Sequence, residues 1–183
     1  MLTSVSPTES DAPLPVDVGE MYRRHGPTVA RWAARLGGPA IDADDVVQEV
    51  FLVARRRLRQ PFEGPGAITT WLFRTTERVV LSMRRKARLR RLLASMPFDL
   101  APALPKARTS PLESLERNDL VATMYRLLDR LPERQRKVLI LFEVEGLSTQ
   151  EIADLTVIRL GTVRVWLHRA RTRFTEMFNA EDR

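Results

Sequence analysis

The sequence predicts an all-α protein: two small helical domains joined by a flexible linker. Three observations carry this. Apolar residues recur at helical spacing along most of the chain, with capping signals where the stripes begin. No strand-like alternation appears anywhere. Between residues 94 and 111 the periodicity lapses among Pro97, Pro102, Pro105 and Pro111, which marks the boundary between the halves. At 183 residues and 44% hydrophobic, the chain has enough material for two small cores.

Taken in order, residues 1–16 carry Pro7, Pro13 and Pro15 among small polar residues and read as a disordered tail. Asp17-Val18-Gly19-Glu20 has the capping-box pattern and opens a helix, whose apolar stripe is Val18, Met21, Tyr22, Val29, Trp32, Ala33 and Leu36. Gly37-Gly38-Pro39 ends it. Asp42 caps a second helix with Val46, Val47, Val50, Phe51, Ala54 and Leu58 inward. Pro61 to Gly66 is a loop. A long helix is expected from about Thr70 to Arg91, with Leu72, Thr76, Val79 and Met83 on one face. Residues 17–93 thus form the first domain, 94–111 the linker and 112–183 the second domain. In the latter a helix over about Leu112–Arg130 precedes one opened by Pro132 and Glu133 and running through Phe142.

Charge distribution narrows the partners. Residues 20–93 hold 16 basic and 7 acidic side chains, whereas residues 131–183 hold 9 and 8. A localised basic excess points to a polyanion, nucleic acid first and an acidic membrane surface second. The Arg55-Arg56-Arg57 and Arg84-to-Arg91 runs read either as solvated faces or as phosphate or lipid contacts. The chain has no Cys, hence neither a disulfide framework nor a thiolate metal site, which fits a reducing, cytoplasmic setting. No apolar run approaches a membrane span. His25 and His168 stand alone, so no metal is expected. No nucleophile elbow, phosphate-cradling Gly-rich loop or zincin motif is present, so neither enzymatic chemistry nor a cofactor is expected.

Near the C-terminus, Ser148-Thr149-Gln150-Glu151 forms a second capping box, and its helix buries Ile152, Ala153 and Leu155. A short break at about Thr156–Leu160 leads to a helix with Val163, Leu167, Ala170 and Phe174 on one stripe. Two short helices with a tight turn make a helix-turn-helix, whose second helix enters the major groove of DNA. Its first turns carry Arg159, Thr162 and Arg164 toward base edges. Arg169, Arg171 and Arg173 lie further along and suit phosphates. Between 159 and 173 there are five Arg and no acid, so the charge of a nearly neutral domain is polarised onto this helix.

These motifs together resemble the extracytoplasmic-function sigma factors, the smallest members of the sigma-70 family. The C-terminal match comprises Leu131-Pro132-Glu133-Arg134-Gln135-Arg136, Glu145-Gly146-Leu147-Ser148, Glu151-Ile152-Ala153, Gly161-Thr162-Val163-Arg164 and Leu167-His168-Arg169-Ala170-Arg171. It resembles region four, which reads the minus-thirty-five element. The resemblance implies a DNA-binding set of Arg159, Thr162, Arg164, His168, Arg169 and Arg171. The N-terminal match, Asp42-Ala43-Asp44-Asp45-Val46-Val47-Gln48-Glu49-Val50-Phe51-Leu52, resembles the part of region two that docks on the polymerase clamp helices. It implies that Asp44, Asp45, Gln48 and Glu49 bind core RNA polymerase. Thr70-Trp71-Leu72-Phe73-Arg74 and Arg84-Arg85-Lys86 resemble the part that melts and reads the minus-ten element, implying contacts from Trp71, Arg74, Arg78, Arg84 and Arg85. Core polymerase and promoter DNA are the implied partners, and an anti-sigma protein is a common further one in this family.

Residues alone leave two readings open at several of these positions. Trp71 is a stacking platform for an unpaired base or a core residue at helical spacing. The acids of the second helix are helix-start electrostatics or a docking face. A helix-turn-helix regulator with an N-terminal sensing and dimerising domain is the rival function, and a basic peripheral membrane or scaffold protein comes next. Several positions also depart from the family pattern. Val157 stands where the helix-turn-helix usually has Gly, and a β-branched residue at a positive-φ site predicts a reshaped turn. Arg159 replaces a small polar cap. Arg78 and Ser82 replace a common Asn and Asp, and Ile68 replaces a loop aromatic.

Overall fold

Asp17 caps the first helix: its Oδ1 accepts hydrogen bonds from the N–H of Gly19 (2.8 Å) and Glu20 (3.2 Å), the N-cap half of the expected capping box. The computed structural model describes residues 17–57, 62, 66–94 and 115–181. The expected tail, most of the Pro61–Gly66 loop, the linker and Leu58 lie outside the described residues.

Helix α1 (Val18–Gly37) buries Met21, Val29, Trp32, Ala33 and Leu36. Tyr22, expected on the same stripe, is instead 52% exposed. It sits at the margin of the stripe, where its ring meets the edge of Phe51 at 5.0 Å. Gly38 closes α1 at φ 71°, donating its N–H to Ala34 O. Helix α2 (Ala43–Arg57) begins beside Asp42, whose carboxylate accepts from Asp44 N at 2.8 Å. It turns Val46, Val47, Val50, Phe51 and Ala54 inward.

Helix α3 (Ala67–Ala94) is three residues longer at each end than the spacing predicts. Its buried Thr75 and Thr76 donate their hydroxyls to the carbonyls of Trp71 and Leu72, each at 2.8 Å, which satisfies both groups without a partner helix. Trp32 meets Phe73 edge-on at 5.2 Å between α1 and α3. The three helices pack on one another around these side chains.

The second set comprises α4 (Leu115–Asp129), α5 (Glu133–Glu143), α6 (Thr149–Thr156) and α7 (Leu160–Glu181). Pro132 sits one position before α5, and its carbonyl accepts from Arg136 N at 2.9 Å. Val138, Ile140, Leu141, Ile152, Val163 and Leu167 fill this core.

The periodicity does not announce that the two sets touch, but α5 packs on α1 and α6 on α3. Polar groups bridge the seam between them. Tyr125 Oη donates to Arg35 O (3.1 Å), and Arg136 Nη1 donates to Leu36 O (2.8 Å). Glu145 pairs with Arg31 (3.0 Å) and Arg35 (2.8 Å), Lys137 with Glu77 (2.6 Å), and Arg84 with Asp129 (2.9 Å). Arg136 is only 1% exposed. Burial, then the neighbouring charge of Arg84, lowers its pKa, and Glu133 and Asp129 partly offset this.

Candidate nucleic-acid interface

Three surfaces hold the residues singled out in the sequence. The first is the outer face of α2. Asp44, Asp45, Gln48 and Glu49 are all exposed because the inward positions are taken by Val46, Val47 and Val50. Asp42 performs the capping, so the side chains of Asp44 and Asp45 are not needed for it. Among the described residues α2 packs only on α1 and α3.

The second surface is the start of α3. Trp71 is half-buried, with Phe62 tilted against it at 5.8 Å. Its setting is intermediate between a free platform and a core residue. Arg74 and Arg78 are exposed one turn apart, and no acid among the described residues pairs with either. Trp71, Arg74 and Arg78 line a cleft of about 840 Å³. The structure does not bring Arg84 into this group. Its guanidinium is occupied by Asp129, Glu133 and Leu36 O, facing the second helical set. Arg85, next to it, is exposed.

The third surface is the helix-turn-helix. Ser148 and Glu151 form the full capping box: Ser148 N donates to Glu151 Oε2 (2.8 Å), and Glu151 N donates to Ser148 Oγ (3.2 Å). Bonds from the Ser148 side chain and backbone hold the Glu151 carboxyl below its ordinary range. The reshaped turn expected at Val157 does not occur. Val157 takes the left-handed conformation itself (φ 56°, ψ 47°), donating its N–H to Ala153 O. The side chain is 65% exposed, so its two branches meet few neighbours and the turn keeps its geometry at the cost of backbone strain.

In α7, Val163, Leu167 and Ala170 are buried, leaving Arg164, His168 and Arg169 exposed, with Thr162 half-buried in the first turn and Arg159 exposed just before it. Arg171 is also exposed but already engaged. Its Nε and Nη2 both lie 2.7 Å from Glu143 Oε1, and its guanidinium covers Phe142 at 4.6 Å. Arg134 covers Trp166 at 5.6 Å. Sequence reasoning did not single out Arg136 as the buried cation of the seam. The only available signal is its place on the apolar side of α5, between Gln135 and Val138.

Residues 21–90 match sigma-70 region 2, and residues 122–174 match sigma-70 region 4. The chain is 33% identical over 139 residues to the ECF RNA polymerase sigma-E factor of Escherichia coli, covering 73% of this chain and 72% of that protein. The chain belongs to the sigma-70 family. It is an RNA polymerase sigma factor of the ECF type, acting in transcription initiation. The ECF sigma factor SigE of Mycolicibacterium smegmatis is 35% identical over 153 residues. That match covers 83% of this sigma factor but only 58% of the mycobacterial protein. Among solved structures, CnrH in complex with the cytosolic domain of CnrY superposes with a TM-score of 0.55 at 27% identity, covering 89% of this chain and 88% of the other. No described helix of this sigma factor is long and apolar enough to cross a membrane.

Proposed function

We propose that residues 17–93 form the unit that docks on core polymerase and captures the minus-ten element, and that residues 112–183 form the unit that reads the minus-thirty-five element. One observation carries the reading. At the start of α7, Arg159, just before the first turn, and Arg164, within the first two turns, stand exposed beside buried Val163, where a major-groove helix meets base edges. An Arg there bridges the two acceptors of guanine. Arg169 and His168, further along, meet the backbone, and Arg171 holds α7 to α5 while adding positive potential. On α3, Trp71, Arg74 and Arg78 supply one aromatic face and two cations for an unpaired strand, with Arg85 on the phosphate path beyond them. Asp44, Asp45, Gln48 and Glu49 offer an acidic face to a basic groove on polymerase. The factor performs no chemistry of its own and works in the cytoplasm, where its template is. CnrH was solved with the cytosolic domain of a partner protein, and an anti-sigma partner of that kind is proposed for this chain.

Run-off transcription with core polymerase tests the reading, using a library of minus-thirty-five variants. Arg164→Ala should relax preference at one or two positions, with ~1–3 kcal/mol of discrimination lost. Arg169→Ala should weaken all promoters alike and lower the salt slope by about one. The same uniform loss from both would refute base reading by Arg164.

A further inference from the structure

The last turns of α3 carry three leucines that neither a core nor a DNA contact requires. Helix α3 has 28 residues against 20 in α1 and 15 in α2, so it outruns the helices it packs on in its own set. Leu89, Leu92 and Leu93 are 57%, 55% and 58% exposed. At i, i+3 and i+4 they form one stripe. The stripe does not continue the core. The buried row of Leu72, Thr76 and Val80 runs on into half-buried Met83, Arg84 and Ala87. At about 100° per residue, the leucines lie roughly 150° round the axis from that row.

Positive charge surrounds the stripe. Arg85, Lys86, Arg88, Arg90 and Arg91 are all exposed, and the sequence has no acid between Glu77 and Asp99. Lys86 and Arg90 flank the stripe on one side, Arg88 and Arg91 on the other, and Arg85 stands at its head. Asp129 and Glu133, which line a groove with Arg85, Arg88 and Arg91, are held by Arg84 and Arg136. An apolar stripe between two cationic flanks fits an acidic bilayer surface better than a nucleic-acid backbone. Phosphates of DNA call for cations and give leucine no partner. At a bilayer the leucines leave water at the boundary of headgroups and acyl chains, while long Arg and Lys side chains reach back to the phosphates. Anionic lipid attracts each cation within a Debye length of the surface.

We propose that the end of α3 is a membrane-binding surface. Leu89, Leu92 and Leu93 seat in the interface of an anionic phospholipid bilayer, and the five flanking cations bind its headgroups. The helix lies on the bilayer, since it is not apolar enough to cross it.

Flotation of the full chain tests this, with vesicles of phosphatidylcholine alone or mixed with phosphatidylglycerol. The wild-type chain should float with the mixed vesicles and not with phosphatidylcholine. Leu89→Gln with Leu93→Gln should lower partitioning at least about tenfold, because two of the three seated side chains are lost. Leu120→Gln with Val121→Gln removes exposed hydrocarbon from α4 (59% and 40% exposed) and should leave partitioning unchanged. Arg88→Gln with Arg91→Gln should lower it about as far as the leucine change does, and weaken its response to salt. Glutamine is a good helix former, and circular dichroism checks native helicity in each variant. Run-off transcription without vesicles should be unchanged in the leucine variant.

A wild-type chain that stays with the soluble fraction would overturn the proposal. Flotation that survives the leucine change would do the same, because attraction to phosphate alone would then account for it. Equal loss in the α4 variant would show that the end of α3 is not the binding surface. Loss of transcription in the leucine variant, with vesicle binding intact, would assign the stripe to polymerase or promoter instead.

Discussion

Replacing Val157 with glycine should stabilise the C-terminal unit, against the usual direction for a hydrophobic-to-glycine change. Val157 sits at φ 56°, and an L-residue in the left-handed region costs about 1–2 kcal/mol. Glycine removes that strain but gives back about 0.5–1 kcal/mol in chain entropy. With 65% of the side chain already exposed, little burial is lost. The expected net gain is about 0.5–1 kcal/mol, or roughly 1–4 °C in a transition involving 150 or more residues. Val157→Ala is the necessary companion, because it removes the same contacts yet keeps a Cβ in the left-handed region. Urea unfolding followed by circular dichroism should rank glycine above both valine and alanine. If glycine falls at or below alanine, left-handed strain does not govern this turn.

Gly38→Ala should do the reverse. Its Cβ would lie 2.6 Å from the Tyr125 ring at a φ of +71°, so a loss of at least about 1–2 kcal/mol is expected in thermal melts. An unchanged midpoint would show that Tyr125 moves aside freely. Ionised Glu151 stabilises the capping box, because its folded pKa lies below the unfolded value. This contribution is complete above the ordinary carboxylate range and is lost as pH falls through the lowered pKa. Glu151→Gln should therefore flatten that part of the stability–pH curve, and identical curves would exclude it. Reversing Asp45 and Glu49 to Lys should weaken core polymerase binding at least tenfold (~1.4 kcal/mol) with native helicity retained. Unchanged affinity would remove α2 as the docking face. Arg171→Ala should lower the stability of the C-terminal unit by about 1 kcal/mol, since it breaks a pair and a ring contact together. A change in salt slope with unchanged stability would return Arg171 to the phosphate contacts.

Local signals in the sequence were sufficient for the helices. Asp17, Asp42 and Ser148 each make the cap their spacing implies, because a cap depends on three or four consecutive residues. Buried faces were equally legible where the stripe is regular, as in α2. Tyr22 escaped because periodicity marks a face and not its edge. Val157 misled because propensity weighs a residue's own preference, whereas the turn is set by the two helices packing on either side. The role of Arg84 was hidden for a different reason. A run of arginines reads as one basic patch, and which member meets an acid depends on Asp129, 45 positions away. The seam as a whole is invisible to periodicity, since ion pairs between remote segments leave no repeat.

The polar seam also has a thermal consequence. Guanidinium, carboxylate and carbonyl groups bridge the two helical sets, whereas the helices within each set bury mostly hydrocarbon. Heat-capacity change follows exposed apolar area, so loss of the helical cores should dominate the increment on unfolding, while the bridging ion pairs add little to it. The ion pairs between the sets should then respond to salt more than to temperature across the range in which both sets remain folded.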